Sequence, residues 1–170
     1  MIALAEEQLK NTNVAVQKND GINIPFSEIS FDIIFTSTVL QHNTDEKILN
    51  NLIKNMCQLS KYEVIIFERI ENTIKGHESN LGRPIAYYSD LFSKNNYKLY
   101  DVNYLPIQIS YYVCGSIRKI FNPKSRKEGE PLTSFSVLLQ NVSLVVTRLL
   151  DKIVPCKRDV AMLRFIKLDI

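Results

Sequence analysis

Residues 20–42 read DGINIPFSEISFDIIFTSTVLQH, and the order of features within them decides the fold. Asp20 and Gly21 make a turn signal, and Pro25 stiffens the approach to the next strand. FDIIF, residues 31–35, is an almost uninterrupted apolar run, the pattern of a strand covered on both faces. Polar Thr36 and Ser37 come directly after it. They stand at the carboxyl end of a buried strand, where open parallel sheets bind ligands.

Reading outward, Asn43 with Glu46 three residues on predicts a capping box, and Ile48, Leu49, Leu52, Ile53, Met56 and Leu59 then recur at helical spacing. VIIF, residues 64–67, reads as a second buried strand. Strand, helix, strand predicts a right-handed parallel crossover. Pro84 suits the first turn of a helix carrying Ile85, Tyr88, Leu91 and Phe92, and residues 97–104 alternate like a strand with one less buried face. Upstream, residues 2–10 read as the end of an amphipathic helix and residues 14–17 as a short strand.

Beyond Ile107 the pattern becomes helical. Ile109, Tyr112, Val113, Ile117, Ile120 and Phe121 suggest one helix, and residues 123–131, PKSRKEGEP, are a charged loop. Phe135, Leu138, Leu139, Val142, Val145, Val146, Leu149 and Leu150 form an apolar stripe on another helix, read as core or cap packing. VAMLRFIKL, residues 160–168, closes the chain as a strand. The expected division is a core over residues 1–106, a helical cap over 107–158 and a last core strand over 159–170.

With 170 residues, 45% of them apolar and 23% charged, one compact domain is expected. Cys57, Cys114 and Cys156 are odd in number and widely spaced, which predicts reduced thiols rather than a zinc or redox site. His42 and His77 are the only histidines, so no metal is expected. Acidic residues in MIALAEEQLK argue against a secretion signal, and the longest apolar stretches fall short of a membrane span. The expectation is a cytoplasmic protein without a transmembrane segment. Charge is uneven: ten basic residues face thirteen acids up to Gly115, and eleven face five from Ser116 onward. A basic third can attract an anionic partner, but an ordinary solvated face is preferred and nucleic acid is not an expected partner.

These residues resemble the class I, Rossmann-like S-adenosylmethionine-dependent methyltransferases of the small-molecule type. Asp20 matches the acid that ends the family's third strand, Ile24-Pro25-Phe26 its apolar turn, Phe31-Asp32-Ile33-Ile34 its fourth strand and Val39-Leu40-Gln41-His42 the segment after it. Arg83, Tyr87, Tyr88, Leu91, Phe92 and Asn96-Tyr97 are similar to the later helix and sixth strand. The resemblance spans about residues 1–104 plus the last strand. It implies a partial Rossmann-like α/β sheet, from the third strand onward in the family order 3-2-1-4-5-7-6, with a helical cap before the last strand. It also implies a fragment, since MIALAEEQL matches the helix after the second strand and the five glycines are too scattered to form the family's phosphate-type loop. An unpaired edge beside FDIIF, open to pairing with another chain, is implied by the same order.

On that resemblance, Asp20, Gly21, Ile22, Thr36 and Leu40 are expected at S-adenosyl-L-methionine. The plain alternatives are an Asp-Gly turn and two hydroxyls ending a strand. His42 is the catalytic candidate, because an imidazole takes a proton near neutral pH; its alternative is a capping or pocket-wall role. Glu68, Arg83, Tyr87 and Tyr88 are expected at a small-molecule acceptor. For Glu68 the alternative is an ion pair with Arg69 or Arg83, and for the others a structural place on their helix. The functional expectation is methyl transfer to that acceptor. The rival is a methyltransferase-like binding or partner module that lacks cofactor binding.

Overall fold

The computed structural model describes residues 2–19, 24–126, 130–154 and 159–168. In chain order the elements are α1 (Ile2–Leu9), β1 (Phe31–Ser37), a 3-10 turn (Leu40–His42), α2 (Glu46–Leu59), β2 (Ser60–Ile70), β3 (Lys75–His77), β4 (Asn80–Gly82), α3 (Ile85–Ser93), β5 (Tyr97–Tyr104), α4 (Gln108–Phe121), α5 (Ser134–Ile153) and β6 (Asp159–Lys167). Four strands form a mixed sheet in the order β1-β2-β6-β5. β1 and β2 run parallel, with Ile34 opposite Val64 and Thr36 opposite Ile66. β6 is antiparallel to both β2 and β5. This order is the 4-5-7-6 portion of the order the resemblance implies.

One face of the sheet is the core. Val64, Ile66 and Ile70 of β2 and Ala161, Leu163 and Phe165 of β6 are buried there against Leu49, Ile53, Met56 and Cys57 of α2 and Tyr88, Leu91 and Phe92 of α3. The period of two in the strands and of 3.6 in the helices places all of them on one interface. Phe92 stacks on Phe165 with ring centroids 3.9 Å apart. Each fully buried side chain of this size stabilises the fold by roughly 1.5–3 kcal/mol. Cys57 and Cys114 are free thiols, and burial pushes the Cys57 thiol up to about 12.

β1 departs from the expectation of a strand covered on both faces. Ile34 packs toward the core, whereas Phe31, Ile33 and Phe35 point from the other face, and Phe35 is 71% exposed. Burial on both faces needs a second layer; Phe26 alone packs edge-on against Phe31, with ring centroids 4.8 Å apart, and Ile33 stays 50% exposed among the described residues. Residues 14–17 form no strand either; Val14 is exposed and its N–H is held only by Thr12 Oγ1. The capping box also differs. Asp45 is the N-cap of α2, accepting from the N–H groups of Lys47 and Ile48, while Asn43 Nδ2 donates to the Val39 carbonyl at 2.8 Å. Asp45 stands next to the first helical residue and outcompetes a side chain three positions away.

The segment between β5 and β6 is a helical hairpin in which α4 packs on α5. Its interface is polar. The Asp151 carboxylate accepts from the N–H groups of Ile109 at 2.6 Å and Ser110 at 3.2 Å and from the Ser110 hydroxyl, which lies 3.0 Å from Thr147 Oγ1. At the other end Asn122 Nδ2 donates to Ser136 Oγ at 2.8 Å. Burial opposes the Asp151 charge, but the bonds from Ser110 and Ile109 prevail and hold this carboxyl below its usual range. The apolar stripe of α5, expected as packing, faces outward instead: the buried α5 side chains are Ser136, Thr147 and Asp151.

Phe35→Lys should leave stability within about 0.5 kcal/mol, because Phe35 makes no core contact, yet lower concentration-dependent association measured by sedimentation velocity. Asp151→Asn should lower the urea midpoint at neutral pH. Because the folded-state value is depressed, that contribution is present above the usual carboxylate range and is lost as pH falls, so the gap between variant and wild type should close below about pH 4.

Candidate functional site

At the carboxyl end of β1 the chain turns sharply. Thr38 takes a left-handed φ of 56°, and its N–H donates to the Phe67 carbonyl at 2.7 Å, tying the turn to β2. Such a φ is uncommon for a residue with a branched Cβ and is held here by surrounding contacts. The next residues, 39–43, are gripped from two sides. Glu68, wholly buried on β2, accepts three N–H groups: Val39 at 3.0 Å and Leu40 at 2.9 Å on Oε1, and Gln41 at 2.9 Å on Oε2. Arg83, equally buried, donates to the carbonyls of Leu40 at 3.0 Å and Asn43 at 2.8 Å. The carboxylate takes the donors of the turn and the guanidinium takes its acceptors.

Burial pushes the Glu68 carboxyl up, opposed by the three N–H bonds and by His42. Arg83 reaches Glu46 Oε1 at 3.6 Å and lies over the Tyr87 ring, whose hydroxyl donates to Glu46. Burial, with Glu46 second, raises Tyr87 to about 12. Burial likewise raises Tyr88, which is fully enclosed. Arg69 pairs with Glu71 at 2.5 Å, so Glu68 forms a described ion pair with neither Arg69 nor Arg83.

The turn presents His42 at the surface. Its Nδ1 lies 2.8 Å from the Ser79 carbonyl, which can only accept, so Nδ1 carries the proton and Nε2 is left as the basic nitrogen of the neutral ring. Gln41 approaches Nε2 at 3.3 Å through its amide nitrogen, while its amide oxygen accepts from the Arg69 N–H. Ser79 belongs to the β3–β4 hairpin, which no sequence pattern above predicts, although Gly76 and Gly82 bracket its turn in KGHESNLG. Gly76 is required there: a Cβ would sit 2.0 Å from the Asn80 carbonyl oxygen, at a φ of +153°.

A cleft of about 630 Å³ opens beside the turn, at the carboxyl end of β2, lined by residues that include Gln41, Arg69, Lys75, Asn80, Tyr111 and Asp159. None of these is among the sequence-based site candidates. Asp159 also has a left-handed φ of 73°. Of the candidates, Thr36, Leu40, His42 and Glu68 converge on this end of the sheet; Asp20, Gly21 and Ile22 lie outside the described residues. Leu40 is buried in the core with both its backbone groups engaged. Arg83 and Tyr88 lie behind the turn, away from solvent, and Tyr87 is partly exposed.

No family model and no curated protein matches the sequence. Solved structures do. The fold is similar to that of a protein of Galdieria sulphuraria assigned as a sarcosine dimethylglycine methyltransferase, with a TM-score of 0.61 at 14% identity. It is similar to the [4+2]-cyclase SpnF, at 0.58 and 12%, and to the O-methyltransferase of a trans-AT PKS multienzyme of Brevibacillus brevis in complex with S-adenosyl-L-homocysteine, at 0.59 and 13%. These alignments cover 99%, 98% and 98% of this chain, which spans 64%, 62% and 55% of the respective structures. The chain carries the Rossmann-like fold of class I S-adenosylmethionine-dependent methyltransferases. A cyclase among the similar structures means that the fold leaves the reaction open.

The described residues fit a polar ligand at the end of β1 in one specific respect. Thr36 Oγ1 is buried and has no hydrogen-bond partner among the described residues, an uncommon state for a hydroxyl that a ligand at the strand end would relieve.

The grip on the turn is open to direct test. Glu68→Gln replaces an acceptor oxygen with a donor facing the Gln41 N–H and should cost about 2–3 kcal/mol in urea unfolding. Arg83→Met should cost about as much. The double variant should lose less than the sum, because both side chains hold the same five-residue turn.

Proposed function

We propose that this chain forms the acceptor side of a methyltransferase site, in which a methyl group passes from S-adenosylmethionine to a small molecule. The observation that carries this reading is His42, exposed at the carboxyl end of the sheet on a turn locked by Glu68 and Arg83, with its protonated Nδ1 fixed on Ser79. Fixing one nitrogen as donor leaves the other as a base aimed by the fold. Nε2 receives the proton from an acceptor hydroxyl or amine that takes the place of the Gln41 amide on its single lone pair. The cofactor, when bound, supplies an electrophilic methyl group, so the protein's own work is alignment and proton removal.

Within this reading Asp20, Gly21, Ile22 and Thr36 hold the cofactor, with Leu40 supporting the turn from beneath. Glu68, Arg83, Tyr87 and Tyr88 position His42 rather than touch the acceptor, which instead occupies the cleft between Gln41, Lys75, Asn80 and Asp159. The hairpin over residues 107–158 contributes Tyr111 and Tyr112 to that cleft and thereby selects the acceptor. A cytoplasmic setting, where this cofactor is available, suits the reading.

The bare face of β1 favours a second reading, a non-catalytic module that uses Phe31, Ile33 and Phe35 to meet another chain. Titration calorimetry of the chain with S-adenosylmethionine separates the two: measurable heat at sub-millimolar cofactor supports the first, and none at millimolar cofactor the second. If transfer is detected, His42→Asn, whose amide can keep the bond to Ser79, should lower kcat by roughly 10²–10⁴-fold with little effect on cofactor affinity. Unchanged kcat would remove His42 as the base.

A further inference from the structure

The α4–α5 hairpin is built inside out. The fully buried side chains between its helices are hydroxyls and the Asp151 carboxylate, with Phe121 and Phe135 in edge contact at one end, while Leu138, Val142, Val145, Val146, Leu149 and Ile153 are all 58–75% exposed. At 100° per residue these six fall on one side of α5, opposite the helix's buried polar positions, and run along about 23 Å of it. A polar interface already satisfied inside the hairpin leaves the six no place in that interior.

Charge identifies the occupant. Asp151 is the sole acid within α4 and α5, and it is buried. Exposed Arg118 and Lys119 end α4, and Arg148 and Lys152 share a cleft of about 370 Å³ with Val145 and Leu149. A second copy seated on the patch would bring these cations against their counterparts with no acid between them. A nucleic acid would leave the aliphatic side chains uncovered. No helix among the described residues is long and apolar enough to cross a membrane. A helix with one apolar side, basic flanks and no capacity to span lies in the plane of a bilayer surface.

We infer that the outer face of α5 docks on an anionic lipid surface, with the six aliphatic side chains entering the acyl boundary and Arg148 and Lys152, which flank Val145 and Leu149, meeting phosphate headgroups. The inference stands on the hairpin alone and does not require that the chain transfer methyl groups.

Vesicle flotation tests it, using phosphatidylcholine alone and phosphatidylcholine with about one third phosphatidylglycerol. The full chain should float with the anionic vesicles and lose binding as salt rises. Val145→Glu with Leu149→Glu, both at exposed positions, should reduce the bound fraction at least tenfold. Arg148→Glu with Lys152→Glu should also reduce it, by about fivefold or more per basic residue removed, and erase the preference for anionic lipid. Phe35→Lys, on the sheet, should bind like wild type. Absence of flotation by the wild-type chain would overturn the inference. So would binding lost with Phe35→Lys but kept by the hairpin variants, or a dimer that the Val145 and Leu149 substitutions dissolve while vesicles remain unbound.

Discussion

Everything at the functional end of this fold depends on a carboxylate and a guanidinium buried on either side of one turn. Glu68 and Arg83 are each enclosed, and an unpaired charge in that position would cost several kcal/mol. Neither relies on a direct bond to the other. Backbone groups of residues 39–43 face both, three N–H groups for Glu68 and two carbonyls for Arg83, and Arg83 adds an ion pair to Glu46 at 3.6 Å. The arrangement makes the turn the mutual partner of both charges: the charges hold its shape, and its shape satisfies the charges. Removing either side chain frees the turn groups it held, which is why the turn can be short, irregular and nevertheless rigid while both are present. His42, carried on it, inherits that rigidity.

The same economy of polar groups appears in the hairpin, with the opposite consequence for its surface. Asp151 fastens the start of α4 to the end of α5 by accepting N–H groups that the first turn of a helix leaves free. Polar bonds occupy the most deeply buried positions of this contact. The hairpin's leucines and valines are then free to serve an outside surface. Hydropathy periodicity reports only that a helix has an apolar side. It does not say whether that side meets the protein or something beyond it, and α5 is a case in which buried residues are serine, threonine and aspartate.

How much of this was legible in the sequence depended on whether local pattern and tertiary partner agreed. FDIIF, VIIF, the Ile48-to-Leu59 periodicity and the alternation of residues 97–104 each became the expected element, because their patterns carry both type and buried face. FDIIF misled only about its second face, since a strand's apolar run cannot reveal whether both layers are present. His42 and Thr36 were readable from their place after a buried strand. Glu68 and Arg83 stood out as polar residues near that site, but their backbone partners lie 27–43 positions away and leave no local signature. Gln41, Asn80 and Asp159 are brought together by the β3–β4 hairpin and by β6, from three distant parts of the chain.

Local rules are broken at both ends of the sheet. Thr38 and Asp159 at one end, and Ile29 and Asn96 at the other, hold left-handed backbone without glycine, and Thr36 Oγ1 and Arg83 Nε are buried without a hydrogen-bond partner among the described residues. Each such feature costs on the order of 1–3 kcal/mol. Those at the carboxyl ends of β1 and β2 contrast with the regular core, in which Phe92, Phe165 and Leu163 pack together. A fold consistent at every other level tolerates conflict where function constrains the chain. Here the conflict surrounds the Val39–His42 turn, and the stability that offsets it comes from the helix-covered face of the sheet. That division of labour explains how a chain with one bare sheet face can still present a well-defined polar edge.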